Sequence, residues 1–366
     1  MKRRYLFLDD ETGGPTTAML NGFNDTGQIE LETLKLEKNE RFETVCAKII
    51  DCSKQQPFDG LMLDLCLDGA GENSMGFKAP ALAQQIRTKT LEGVLPQCPI
   101  VLCSTMANLD SFYKRDRASH DLFDYYFVKT GGHFEKDAIK LQALASGYDK
   151  MNKEGKKIEV VLGREVDSID ERIIAYLGEE SLSSFDVAQF VIKELLERPG
   201  ILIDEETLAA RMGVDREASG MAWKELNEIL EKEAVYSGLF ANGWKRYWAE
   251  LVSAFFMNLT GGNPYQIMRA SERVETLQRI GIKGLAVAQP IKYNKSSYFD
   301  TICQFYKKPM DSMEGIPKED TVMIKPWQEH RYVSFLALAS GNYQEKDVCV
   351  EGIKKYEDIK DRLKHG

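Results

Sequence analysis

Leu6-Phe7-Leu8-Asp9-Asp10-Glu11 is a short apolar run that stops at consecutive acids, and it decides the fold. Three later segments share this form: Gly60–Asp64 stops at an acid, Pro99–Ser104 at a hydroxyl and Tyr125–Lys129 at a lysine. Short apolar runs of this kind are typical of buried parallel strands. In open α/β sheets the chemistry lies just beyond the carboxyl ends of such strands. We therefore expect carboxylates, a hydroxyl and an ammonium group to meet at one edge of a sheet.

The expected set of groups suits phosphoryl transfer. Clustered carboxylates bind a hard divalent cation through oxygen, and Mg²⁺ typically takes one or two carboxylates together with water and phosphate oxygens. A lysine and a metal ion neutralise charge on a phosphoryl group in transfer. A carboxylate can itself be the nucleophile and become an aspartyl phosphate, and a nearby hydroxyl can hydrogen-bond the new phosphate oxygens.

In their order along residues 1–151, these segments resemble the receiver domain of bacterial two-component response regulators. The resemblance implies a doubly wound, flavodoxin-like α/β fold with a parallel five-stranded sheet. Strand-like and helical stretches also alternate in this part of the chain, which by itself predicts a parallel sheet.

The resemblance implies a Mg²⁺ site at the sheet edge. Asp10 would be the direct metal ligand and Asp9 its acidic neighbour. Asp64 would both bind the metal and accept the phosphoryl group. The backbone carbonyl of Cys66 would complete the ligands that the protein provides.

The same resemblance implies a switch that senses the phosphoryl group. Ser104 would be the switch hydroxyl, and Lys129 would pair with the phosphate. Tyr126 would be the aromatic residue that swings inward when the hydroxyl moves. A histidine kinase or a small phosphodonor would supply the phosphoryl group.

The chain departs from the family pattern in two ways. Asp68 and Thr130 stand where the family usually has prolines, and the chain is longer than usual near Thr12–Gly14 and Asp68–Gly76. The second of these stretches is rich in glycine and could act as a lid or a docking loop. The alternative is a pseudo-receiver scaffold, which keeps the fold without phosphorylation. An active phosphoacceptor is favoured because the acid pair, the acceptor and the lysine are all present.

Composition argues against a general polyanion binder and against a protein that spans a membrane. The 366 residues carry a net charge of −9, which makes the chain a poor general binder of polyanions. No apolar run reaches the length of about eighteen residues that a membrane span needs. Asp9 and Asp10 end the only apolar stretch near the start, so we expect no signal peptide and a cytoplasmic protein.

Cysteine and histidine usage argues against two kinds of site. The seven cysteines include no pair with two-residue spacing, and only four histidines are present, so a structural zinc site is not expected. Cys303 and His330 could form a nucleophile and its base. No recognisable nucleophile signature surrounds either residue, which favours a core position for Cys303.

Beyond the first domain the pattern changes. A polar stretch, 152–157, separates it from a helical region over 158–250, and a third region over 251–366 mixes helical and strand-like stretches without resembling a family that we recognise. Ile158–Leu162 looks like a short strand.

Residues 186–250 resemble a winged helix-turn-helix. Glu206–Met212 would be the first helix of the pair and Arg216–Glu231 the second, recognition-type helix. Asn242-Gly243 is a strong hairpin signal, so 235–239 and 244–248 would form the wing.

A winged helix suggests DNA as a partner, and Lys245 and Arg246 are the candidate nucleic-acid contacts. The recognition-type helix, however, carries Glu225, Glu228 and Glu231. DNA affinity comes largely from cations that face phosphates. A protein partner is therefore favoured over DNA.

The sequence as a whole predicts a response-regulator-like signalling protein, phosphorylated on Asp64 with Mg²⁺, whose C-terminal output region changes its contacts with a protein partner. Two other functions stay open: a DNA-binding transcription regulator controlled by the receiver, and an enzyme with an active site in the C-terminal part. Homodimer formation is also left open.

Overall fold

The structure is a computed structural model, and it divides the chain into two units. Unit 1 comprises Met1–Ile192 together with Ser237–Trp244, and unit 2 comprises Lys193–Tyr236 together with Lys245–Gly366. The residues that the structure describes are 2–11, 13–69, 73–113, 121–129, 132–165, 169–319 and 323–365.

A parallel five-stranded sheet is the centre of unit 1, as the sequence predicts. The strand order is β2-β1-β3-β4-β5, and all neighbouring pairs are parallel. The chain moves outward on one side of β1 and then on the other, which is the doubly wound arrangement. The strands are β1 (Arg3–Leu8), β2 (Ile29–Thr33), β3 (Gly60–Asp64), β4 (Ile100–Ser104) and β5 (Tyr125–Val128).

Helices connect these strands and cover the sheet. Pro15 and Pro80 stand in the first turns of α1 and α3, where a missing amide hydrogen costs nothing. α2 turns Val45 and Ile49 into the core. The helices are α1 (Gly14–Asp25), α2 (Phe42–Gln55), α3 (Ala79–Leu91), α4 (Met106–Asn108, continuing as a π-helical turn over Leu109–Tyr113) and α5 (Phe134–Glu154).

Three further helices complete unit 1: α6 (Ile158–Leu162), α7 (Glu171–Leu177) and α8 (Ser184–Gln189). The strand predicted at Ile158–Leu162 is wrong. The β-branched residues suggested a strand, but Gly163 is left-handed and its amide bonds to the Glu159 carbonyl, which ends a helix. α8 begins with a capping box between Ser183 and Asp186.

Unit 2 has short strands between helices, and it follows the predicted helix pair only in part. The first predicted helix is present. The second is divided at Gly220, which has a φ of +49°. Its elements are β6 (Leu202–Ile203), α9 (Glu205–Met212), α10 (Arg216–Ser219), α11 (Met221–Ala234), β7 (Tyr247–Trp248), α12 (Ala249–Thr260), α13 (Ala270–Arg279), β8 (Thr301–Ile302), β9 (Pro309–Met310), β10 (Ile316–Pro317), β11 (Tyr332–Val333), α14 (Phe335–Ala339) and α15 (Val350–His365).

The expected hairpin around Asn242-Gly243 does not form two paired strands. Val235 makes an isolated bridge to Tyr247, and β7 pairs with β6 instead. Residues 237–244, which include the predicted turn, belong to unit 1. The winged-helix resemblance therefore stays a prediction.

Of the helices in the described part of the chain, none is both long enough and apolar enough to cross a membrane.

Candidate functional site

Three carboxylates meet at the carboxyl edge of the sheet in unit 1. Asp64 ends β3, and Asp9 and Asp10 follow β1, its neighbour in the sheet. Ligand oxygens of all three lie within 4.8 Å of one another, and all three residues are buried. The register explains this convergence, because Leu8 pairs with Leu63 and both strands reach the edge together. Carboxylate oxygens at this spacing fit a hard divalent cation such as Mg²⁺.

Lys129 joins two of these acids from the end of β5. Its ammonium group donates a 2.8 Å hydrogen bond to Asp9 Oδ2 and lies 2.7 Å from Asp64 Oδ1. The side chain is only 6% exposed. Burial works to lower the pKa of this ammonium group, but negative charge on its neighbours, Asp64 and Asp9 among them, raises that pKa above its usual value. Lys129 is therefore charged and partly balances the acids.

Asp9 is held in place from three directions. Besides Lys129, Thr16 Oγ1 donates a 2.7 Å bond to Asp9 Oδ2, and the Glu11 amide donates to Asp9 Oδ1 at 3.1 Å. Thr16 is buried in the first turn of α1. Thr16 was not among the site residues expected from the sequence, although a hydroxyl at a helix start close to the acids is a usable signal.

Asp64 has a pKa above the ordinary value of an aspartate side chain. Burial, opposed by Lys129 and reinforced by the charge of Asp9, raises its pKa to about 6. The amide of Cys66 donates a 2.9 Å bond to Asp64 Oδ2, and this favours the carboxylate. A cation bound beside Asp64 would shift the same balance toward the charged form.

The backbone carbonyl of Cys66 faces the same space as Asp10. A Cβ atom placed on Gly69 would lie 3.0 Å from Cys66 O and 3.1 Å from Asp10 Oδ2. Both oxygens therefore lie close to a single point. The Gly69 amide uses one lone pair of Cys66 O at 2.9 Å, and a second lone pair is left for another partner. From the sequence, Gly69 was expected only to be part of the glycine-rich stretch Asp68–Gly76, and no role at the site was predicted for it.

Ser104 ends β4, between the strands that carry Asp64 and Lys129. Its side chain is fully buried, and its Oγ has no hydrogen-bond partner among the described residues. Its carbonyl accepts a 2.8 Å bond from the Lys129 amide. A buried hydroxyl without a partner is costly. A phosphoryl oxygen on Asp64 would offer such a partner.

Tyr126 is 43% exposed, whereas the three acids are buried. Its ring stacks on that of Tyr125, with 6.4 Å between centroids and 23° between planes. Of the two departures from the family pattern, one lies within the described residues. Asp68 pairs with Lys78 at 4.0 Å, and Thr130 lies outside the described residues.

The two candidate nucleic-acid contacts are already engaged inside unit 2. Lys245 pairs with Glu231. Arg246 donates to the Leu196 carbonyl at 2.7 Å, and burial lowers the pKa of its guanidinium group. The aromatic rings of β7 are buried, so they are core residues and do not form a stacking platform.

Cys303 is buried among the apolar residues of unit 2 and bonds to Ser334, with 3.4 Å between Sγ and Oγ. His330 packs its ring against Tyr332. Unit 2 also has an open cavity of about 520 Å³ between the start of α10 and the loop before β9, and its lining includes Lys307, Lys308, Glu206 and Asp215. Cys303 and His330 are not among the residues that line it.

No family model matches the sequence, and no curated protein matches it. One similar solved structure is a yeast Spc42 trimeric coiled coil fused to another structure. It is 12% identical over 48% of this chain and 90% of that chain, with a TM-score of 0.29. A likeness at that TM-score carries no argument about this chain.

Proposed function

We propose that this chain is a response-regulator-like signalling protein that accepts a phosphoryl group on Asp64. The observation that carries the proposal is the convergence of Asp9, Asp10 and Asp64 with the Lys129 ammonium. The strand between β3 and β5 ends in Ser104, whose buried hydroxyl has no partner among the described residues. Acids alone would support only a cation site. The added lysine and hydroxyl suit the oxygens of a phosphoryl group.

Each residue has a definite part in the proposed reaction. A carboxylate oxygen of Asp64 attacks phosphorus and forms a new P–O bond, while the bond between phosphorus and the donor breaks. The electron pair leaves with the donor, either acetate from acetyl phosphate or the histidine of a kinase. Lys129 and Ser104 then bond the phosphoryl oxygens. Mg²⁺, held by Asp10, Asp64 and the Cys66 carbonyl, would supply positive charge to the phosphoryl oxygens.

The oxygen ligands support Mg²⁺ as the metal of this proposal. Hard oxygen donors suit Mg²⁺, and thiolates and imidazoles suit softer ions. Cys66, two residues after Asp64, has a pKa raised first by burial and then by Asp64 and Asp68, so its side chain stays a neutral thiol. A protein that contacts unit 2 is the proposed partner of the output.

Labelling with acetyl phosphate tests the proposal. The parent chain should incorporate the phosphoryl group only with Mg²⁺, and Asp64→Asn should abolish incorporation. Asp51→Asn is the matched control because Asp51 is an exposed acid on α2. Labelling that persists in Asp64→Asn would place the acceptor elsewhere, and an unlabelled parent would favour a pseudo-receiver scaffold.

A further inference from the structure

Ser237–Trp244 is a segment of unit 1 whose neighbours on both sides in the chain belong to unit 2. Its contacts within unit 1 are made by α5, by α6 with the Gly163 that ends it, and by Tyr125 of β5. A segment with this connectivity links the sheet of unit 1 to the chain of unit 2.

Two glycines create the space into which the segment fits. Gly147 on α5 receives the ring of Phe240, and a Cβ atom at Gly147 would lie 2.3 Å from that ring. Gly243 also approaches α5 closely, since its Cβ would lie 2.9 Å from Ala143 Cβ and 3.1 Å from Lys140 Cα. Phe240 is only 3% exposed.

The backbone of the segment is strained, and its contacts offset the strain. Phe240 has a φ of +65°, a left-handed conformation that is unfavourable for a residue with a side chain. Burial of its ring is favourable and offsets this strain. The Leu239 amide also donates to the Val161 carbonyl at 2.8 Å, and Ser237 Oγ donates to the Gly163 carbonyl at 3.0 Å. These contacts hold the segment against α5 and α6 in spite of one residue with an unfavourable backbone conformation.

The docking face includes the strand that carries Lys129. The Trp244 ring meets the Tyr125 ring edge-on, with 5.9 Å between centroids. Tyr125 in turn stacks on Tyr126. Lys140 of α5 donates to Tyr125 Oη at 3.0 Å, and its ammonium group lies 5.2 Å from the Trp244 ring centroid. Three aromatic rings thus form a continuous row from β5 to the segment.

We infer that Ser237–Trp244 reads the state of Asp64, and that phosphorylation weakens its docking through the row Tyr126–Tyr125–Trp244. This inference rests on the proposed function. A phosphoryl group draws the Ser104 hydroxyl and the Lys129 ammonium to its oxygens. The Lys129 amide is bonded to the Ser104 carbonyl, and Tyr126 lies on β5, three residues before Lys129. The change therefore reaches Tyr126, the stack on Tyr125 loosens, and Trp244 loses part of its support.

Hydrogen exchange on the full chain tests this inference, with Mg²⁺ and beryllofluoride in place of the phosphoryl group. Binding is measured separately by ¹⁹F NMR. With beryllofluoride bound, exchange at the Leu239 and Trp244 amides should rise by about fivefold or more, because local opening becomes easier. Trp244 fluorescence, taken as the difference between the parent and Trp244→Phe, should change with the same dependence on beryllofluoride.

Variants of Tyr126 separate the relay from simple docking. Tyr126→Ala should bind beryllofluoride and yet show no rise in exchange at Leu239, and Tyr126→Phe, which keeps the ring, should respond like the parent. Tyr298→Ala is the matched control, because Tyr298 is a tyrosine of unit 2 with similar exposure. Bound beryllofluoride with unchanged exchange at Leu239 would overturn this inference alone. A parent chain that binds no beryllofluoride would overturn the proposed function and this inference with it.

Discussion

Lys129 and Asp64 form a buried ion pair, with 2.7 Å between Nζ and Oδ1 and each side chain 6% exposed. The same ammonium group also serves Asp9, so Asp64 receives only part of its charge. Burial therefore prevails over the pairing and leaves the pKa of Asp64 raised to about 6. Without a metal ion, burial disfavours the charged form of Asp64.

The raised pKa predicts how stability without metal depends on pH. A carboxyl group whose pKa is higher in the folded state binds its proton more tightly there. The stability that this proton adds to the folded state is fully present below about pH 4 and is lost as the pH rises through about 6. A separation of about two pH units corresponds to about 3 kcal/mol at most. Asp64→Asn should remove this decline from the free energy of unfolding measured by urea denaturation.

The exposed acid again provides the comparison. Asp51→Asn should keep the pH dependence of the parent, because Asp51 is an exposed acid on α2 and not part of the buried cluster. A parent and an Asp64→Asn variant with parallel pH profiles would contradict the raised pKa.

Two buried serines predict opposite effects of the same substitution. Ser104 Oγ has no partner among the described residues, so Ser104→Ala should raise the free energy of unfolding by about 1 kcal/mol. Ser334 is equally buried, but its hydroxyl bonds Cys303 and caps α14. Ser334→Ala should therefore lower stability by about 1 kcal/mol. If urea denaturation shows that both substitutions lower the free energy of unfolding by the same amount, then the Ser104 hydroxyl has a partner in solution.

The sheet and the acid cluster were predictable because the end of each strand is a local signal in the sequence, and the carboxyl ends of parallel strands lie at one edge of the sheet. Each apolar run that stops at Asp9, Asp64 or Lys129 indicates a strand, and parallel strands bring their carboxyl ends to one edge. The pattern needs no knowledge of which strands are neighbours. The positions of Thr16 and Gly69 depend on how loops return over that edge, and sequence spacing does not specify this.

Two local signals failed, one because a glycine ends a helix and one because a contact distant in sequence outweighs the turn. Ile158–Leu162 has strand-like residues, but the left-handed Gly163 ends it as a helix, and Val161 and Leu162 are fully buried. Asn242-Gly243 favours a tight hairpin, but Phe240 fits against Gly147 and draws the loop onto α5. Both misjudged stretches lie at the docked segment or at the helix that bonds to it.

Gly69 predicts a steric limit on metal binding. A methyl group there would lie 3.0 Å from the Cys66 carbonyl and 3.1 Å from Asp10 Oδ2, in the space between two proposed ligands. Mg²⁺ demands near-ideal octahedral geometry, so Gly69→Ala should weaken Mg²⁺ affinity by about tenfold or more in titration calorimetry. Gly76→Ala in the same loop has open space around its Cβ and should bind like the parent. Equal affinities for the two variants would show that Gly69 does not border the cation.

The fit between Gly147 and Phe240 predicts strong non-additivity. In the parent chain Gly147→Ala would place a methyl group 2.3 Å from the Phe240 ring, so the ring must leave its position, at a cost of about 1–3 kcal/mol. In a Phe240→Ala background the same methyl group meets empty space and should cost far less. A double-mutant cycle by urea denaturation should therefore give a coupling of about 1 kcal/mol or more between the two sites. Additive costs would mean that the ring does not occupy the glycine notch in solution, and the segment would then lack the anchor on which its role as a reader of Asp64 depends.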